Sequence, residues 1–215
     1  MTKRARVALG GYAIVMSLLV SACGGNSLPC PIPQELMQNP PDDAVALTFQ
    51  NDSCTTICSL SISPRSCDNW GLDWLGYANI PSGEARTVLV PPGQYDLLVE
   101  DCTQAEYQFL RFSLEEDRTT VFTAAEIESL PSCSTSLTIQ NNTNQPVCHL
   151  WIGAPYSESF GLNWLGDDDI PPGASLTVTV PPGVYDLKAE DCEFNIQGLE
   201  LDTEVSGDRL WVLEP

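Results

Sequence analysis

Histidine occurs once in this chain, at position 149, and lysine and arginine together occur nine times, three of them within the first six residues. One histidine leaves a single conventional general base for catalysis near neutral pH, and it adjoins Cys148 on an expected strand. There is no C-x-x-C pair to seed a zinc site and no G-x-S-x-G elbow to raise a nucleophile. Apart from Val7–Val20 the chain has no long apolar run, and no long segment follows a 3.6-residue period. A helical bundle is therefore excluded. The basic residues are so few that a nucleic-acid partner is excluded too: beyond the first six residues, 6 Lys and Arg face 29 Asp and Glu, a net charge near −23.

The few early cations have a use. Lys3, Arg4 and Arg6 precede the apolar stretch, and small residues follow at Val20-Ser21-Ala22-Cys23. This is the layout of a secretory signal peptide. "VSAC" resembles the lipobox of bacterial lipoproteins. That resemblance implies cleavage after residue 22, acylation of Cys23 and anchoring to the cell envelope, with Gly24 favouring the outer membrane where the host has one. The membrane would then be met only through this lipid. Residues 23–46 carry five prolines and few large apolar side chains, which reads as a lipidated tether.

Beyond the tether the chain is written twice. "VPPGQYDLLVEDC" at Val90–Cys102 returns as "VPPGVYDLKAEDC" at Val180–Cys192, and positions n and n+90 align without a gap from Leu47 to Cys102, with 27 of 56 pairs identical. Two copies of about 80 residues suit small autonomous domains and are too few for a solenoid. The division is a signal peptide over 1–22, the tether over 23–46, a first repeat over 47–123, a linker over 124–136 with a helical turn at Ala124–Leu130, and a second repeat over 137–215.

Nine cysteines less Cys23 leave eight, an even number suited to an oxidising compartment. The duplication pairs Cys58 with Cys102 and Cys148 with Cys192. Cys54 and Cys67 occur only in the first copy and are expected to pair. Cys30 and Cys133 are left as a clip from the tether to the linker.

Inside each repeat, "LTFQN" and "LTIQN", "ICSLSIS" and "VCHLWIG", and "RTVLV" and "LTVTV" alternate apolar and polar residues between turn signals. A Pro-Pro-Gly corner leads into the strand that starts at Tyr95 or Tyr185, Glu100-Asp101 and Glu190-Asp191 end that strand in solvent, and a hairpin closes each unit. The fold class is all-β, two tandem antiparallel β-sandwiches. "PPG-x-Y-x-L" resembles the hairpin of transthyretin-like and Cna-B-like modules, which bacterial surface proteins use as stalks, spacers and adhesion domains. The isopeptide-forming pattern of some Cna-B domains is absent. The whole pattern "WGxDWLG…IPPG…VPPGxYDLxAxDC" also resembles exported bacterial modules of no assigned activity.

Two features could carry a ligand. Trp74 and Trp164 recur in "GLDWLG" and "GLNWLG"; exposed, they would stack on a sugar or anchor a protein, and buried, they would complete each core. Asp167, Asp168 and Asp169 offer oxygen donors, making Ca²⁺ the one cofactor the sequence suggests, in the second repeat only; they lack D-x-D-x-D-G spacing, and the solvated turn is the favoured reading. Otherwise no cofactor is implied. The favoured function is a non-enzymatic, surface-anchored lipoprotein whose tandem sandwiches bind an unknown protein or glycan or act as a spacer. The alternative is an envelope hydrolase, or an inhibitor of one, acting through the inter-strand loops.

Overall fold

The computed structural model describes residues 28–123, 135–155 and 160–215. The first repeat contains β1 (Val45–Asp52), β2 (Ile57–Pro64), β3 (Ala85–Val90), β4 (Gly93–Asp101), β5 (Glu106–Leu114) and β6 (Arg118–Thr123). The second contains β7 (Ser136–Asn141), β8 (His149–Gly153), β9 (Ser175–Thr179), β10 (Gly183–Glu190), β11 (Ile196–Val205) and β12 (Arg209–Leu213). Each repeat is two three-stranded sheets, ordered β3-β1-β6 and β2-β4-β5 in the first, and β9-β7-β12 and β8-β10-β11 in the second. The fold is all-β. The single additional residue of the second copy is absorbed by a register shift between Ala189 and Glu190 on the β10–β11 ladder.

Two details depart from a purely antiparallel sandwich. β5 and β6 do not form the expected closing hairpin: β5 pairs with β4, and β6 crosses to the other sheet to lie parallel to β1, Leu47 opposite Arg118. β12 lies parallel to β7 in the same way. Phe122 is fully buried and fills the core between the sheets, its ring centroid 6.0 Å from Phe49 of β1 and 5.2 and 6.0 Å from Tyr107 and Phe109 of β5.

The repeated words of the sequence turn out to be joints. Tyr95 and Tyr185 are buried, and each donates its hydroxyl to the carbonyl four residues earlier, Pro91 at 2.5 Å and Pro181 at 2.6 Å, closing the Pro-Pro-Gly corner. The neighbouring Asp96 and Asp186 accept the amides of Arg111 and Asp202, residues with positive φ opposite the register shifts of β4 and β10. Asn51 is fully buried: its amide donates to the carbonyls of Thr55 and Ile80, each at 2.8 Å, and its oxygen accepts from Ser53. Asn141 repeats the arrangement with Gln145, Ile170 and Thr143. A buried amide with all its groups satisfied fixes local geometry, because any displacement strands a polar group.

Neither Glu190, which is buried, nor the two aspartates Asp101 and Asp191 end their strands in solvent. Both aspartates are buried, and each gathers the amides of the adjoining turn: Thr103 and Ala105 for Asp101, Glu193 and Asn195 for Asp191. Short side chains of this type satisfy turn amides better than water can reach them.

The disulfides join Cys58 to Cys102, Cys148 to Cys192 and Cys30 to Cys67. The Cys54–Cys67 and Cys30–Cys133 pairings are thereby corrected; Cys54 is disulfide-bonded, but not to Cys67. Proximity decided this rather than counting. The segment from Leu28, expected as part of the tether, lies on the first repeat, with a short helix α1 (Gln34–Gln38), Ile32 only 3% exposed in the first core, and Leu28, Leu36 and Met37 packed against it. Cys23, Cys133 and the expected turn at Ala124–Leu130 lie outside the described residues. Among the described residues, no helix is long and apolar enough to cross a membrane.

Candidate functional site: the seam between the repeats

The C-terminal end of β4 meets the tryptophan loop and the Pro-Pro-Gly corner of the second repeat. The Leu162 amide donates to the Cys102 carbonyl at 3.0 Å, and the Asn79 side chain donates to the Asn163 carbonyl, also at 3.0 Å. Gly161 (φ +89°) passes so close to the Cys102 carbonyl that no Cβ would fit, and a Cβ on Gly166 would lie 2.6 Å from the Tyr77 carbonyl. Cys58 and Cys102 consequently belong to the apolar core of the second repeat, although they are covalently part of the first. The tryptophan-loop segments of both copies take part in the contact, Asp73, Gly76 and Tyr77 of the first facing Leu162, Asn163 and Gly166 of the second.

Three clefts flank the seam. The first, 360 Å³, is lined by Ser59, Asp73, Tyr77 and Glu100 against Leu162 and Asn163. Burial pushes the Asp73 carboxyl above its ordinary range, although it accepts the amides of Leu60 and Leu75. Glu100 is also raised, by burial first and then by Glu106, Asp101 and Asp73. The second, 500 Å³, has Glu84 and Arg86 facing Asp167, Asp168 and Asp169. The third, 230 Å³, sets Asp101 and Tyr107 against Pro181, Gly183 and Tyr185. The Tyr185 phenol is pushed up to about 12, by burial and then by Asp101.

Trp74 and Trp164 are 8% and 4% exposed. Each backbone amide bonds to the preceding strand, at Leu60 or Leu150, and the Trp164 indole N–H reaches the Ile152 carbonyl at 3.2 Å. They complete cores and offer no open stacking face. Asp167, Asp168 and Asp169 are exposed, and among the described residues no group of three or more His, Cys, Asp or Glu is arranged to hold a metal ion. Asp73 and Asn163, by contrast, do positional work, each accepting two backbone amides that fix the tryptophan loop.

A second feature lies on the outer face of β8 and β10. His149 stacks on Phe194 with centroids 4.3 Å apart and on Trp151 at 5.4 Å, and the Lys188 ammonium sits 4.1 Å over the Trp151 ring. Lys188 also pairs with Glu190 at 3.1 Å, and the His149 Nδ1 lies 3.1 Å from the Asp191 carbonyl. The first repeat has Ser59, Ser61 and Leu98 where these residues stand. The alternation of "HLWIG" places His149 and Trp151 on one face and could have signalled this stack; Phe194, in a turn, gave no periodic signal.

No known protein family matches the sequence, and no curated protein does. Among solved structures, the chain resembles the Bacillus anthracis TIE protein at 12% identity and a TM-score of 0.27, covering 80% of this chain and 34% of that one, so that it spans about a third of that protein. It also resembles a "putative adhesin" from Bacteroides ovatus ATCC 8483 at 11% identity and a TM-score of 0.27, covering 91% and 96% of the two chains. Overlap at that level carries no argument about function, which rests on this chain's own residues.

Proposed function

We propose that the protein is a non-enzymatic, lipid-anchored component of a bacterial cell envelope, whose two sandwiches form one stiff spacer that presents a binding face on the second repeat. The observation that carries this reading is the seam. Two repeats joined by a linker alone would swing independently, whereas the Leu162–Cys102 and Asn79–Asn163 bonds and a core shared through Cys58 and Cys102 couple them. The lipobox at Cys23 supports anchoring, and the disulfides suit an exported protein. The Phe194–His149–Trp151 stack, written only into the second copy, supports a binding face for a protein or a glycan.

The test is capture of envelope proteins and binding to a glycan array by the soluble fragment after Cys23, alongside its Trp151→Ala variant. Selective capture that Trp151→Ala abolishes without lowering the thermal midpoint is expected. Absence of capture, or capture indifferent to Trp151, removes the binding face and leaves a spacer. Acylation is checked separately: Cys23→Ala should abolish processing and membrane partition.

A further inference from the structure

Strand pairing lays out the outer face of the β8-β10-β11 sheet in rows. Trp151, Lys188 and Leu199 stand opposite one another on the three strands, and His149, Glu190 and Ile196 form the next row. Directly paired residues share a face. In the first repeat the same two rows read Ser61, Leu98 and Gln108, then Ser59, Glu100 and Glu106. Apart from Leu98 those are polar, as is usual for the outward face of an antiparallel sheet. The second copy carries large apolar and aromatic side chains instead and leaves several open. Phe194, Ile196, Leu199 and Leu201 are 65%, 59%, 48% and 58% exposed. An apolar surface of this extent marks a contact with another molecule.

The chemistry of the face narrows what covers it. A sugar stacks on an open aromatic ring, but here His149 is engaged by Phe194 and Trp151, and Trp151 already receives the Lys188 ammonium. Phe194 keeps a largely exposed ring, and the other open side chains, Ile196, Leu199 and Leu201, are aliphatic. Such a strip fits the side chains of another protein. Charge decides what borders the strip on that partner. The second repeat, residues 137–215, has two cations, Lys188 and Arg209, and both are paired, with Glu190 at 3.1 Å and Glu200 at 2.7 Å. Glu193, Asp202 and Glu204, exposed along the same turn and strand, form no ion pair among the described residues. An acidic partner is repelled by this field, and a second copy of this chain, at net charge −20, is one.

We propose that this face is the docking surface for a protein whose contact strip is apolar and bordered by lysine or arginine. The proposal rests on the binding face at Trp151, extends it across β11, and makes its partner a basic protein rather than a glycan.

The experiment uses the mature chain without its lipid, which retains every described residue, and three fluorescent peptides of equal length: alternating Leu and Lys, alternating Ser and Lys, and alternating Leu and Glu. Fluorescence anisotropy should show the Leu/Lys peptide binding, the Ser/Lys peptide binding about tenfold more weakly, and the Leu/Glu peptide not binding. Ile196→Gln/Leu199→Gln removes the strip and keeps the charge. It should weaken the Leu/Lys peptide about tenfold and leave the thermal midpoint unchanged, since both side chains are exposed. Equal binding of the Leu/Lys and Ser/Lys peptides overturns the proposal, as does Leu/Lys binding indifferent to the double variant. Glycan binding that Trp151→Ala abolishes and Ile196→Gln/Leu199→Gln spares also overturns it, while upholding the binding face. No binding of peptide, glycan or envelope protein removes the face and the proposal together. Should the double variant unfold, the peptide comparison on the native chain decides alone.

Discussion

The Leu162 amide and the Cys102 carbonyl, 3.0 Å apart, join the two copies of one duplicated module. That bond is possible because Gly161 removes the side chain that would hold the backbones apart. It ties the first disulfide to the second core, so the two repeated disulfides, alike in sequence separation, are unlike in consequence.

Removing them should show the asymmetry. Cys148→Ser/Cys192→Ser should destabilise the second repeat by about 2–5 kcal/mol and leave the first unchanged. Cys58→Ser/Cys102→Ser should lower both, since it disturbs the seam as well as its own loop. Calorimetry of each double variant reads this out; equal, independent losses would mean the seam transmits nothing.

Trp74→Ala and Trp164→Ala should each cost about 3–5 kcal/mol, the loss of a buried aromatic. Trp164→Phe should cost about 1 kcal/mol, largely for the indole bond to Ile152. Urea denaturation monitored by far-ultraviolet dichroism measures all three. A Trp74→Ala protein as stable as the native one would contradict its place in the core.

The seam should weaken as its acids ionise. Asp73 and Glu100 have folded pKa values raised above their unfolded ones, so the folded protein holds their protons more tightly. Their contribution is fully present below the ordinary carboxylate range and is lost as pH rises through the folded values. Glu100→Gln should therefore raise the thermal midpoint at pH 7 and leave it unchanged at pH 3. The midpoint measured across that range is the check, and a lower midpoint at pH 7 would mean that the Glu100 charge is satisfied.

Asn141→Asp should turn the buried knot into a pH-dependent fault. A carboxylate there still accepts from Thr143 but faces the carbonyls of Gln145 and Ile170, to which the amide donated. The protonated form can donate to one of them, so the variant's stability should be highest at low pH and fall as pH rises above about 4. The native amide has no such titration. Chemical denaturation at pH 3 and pH 7 compares the two.

Much of this molecule is local in origin, and the sequence determined it. Strand alternation, the Pro-Pro-Gly corner and the recurrence of Cys58 and Cys102 ninety residues later are enough to specify two all-β repeats, because burial periodicity and turn geometry act over a few residues. The buried Asn51 and Asn141 were visible as recurring letters but not as knots, since their partners at Ile80 and Ile170 arrive from 29 residues away. Tertiary structure alone decided the rest. Cys67 took Cys30 because the Leu28 segment lies against the first repeat, and β6 pairs with β1 while Phe122 packs between the sheets against Phe49, Tyr107 and Phe109. Trp74 and Trp164, read from the sequence as core in preference to platforms, are placed in the two cores by the packing around them. The seam, too, is written in residues that look ordinary one at a time: a glycine, two asparagines and a backbone carbonyl come to matter only where the two repeats meet.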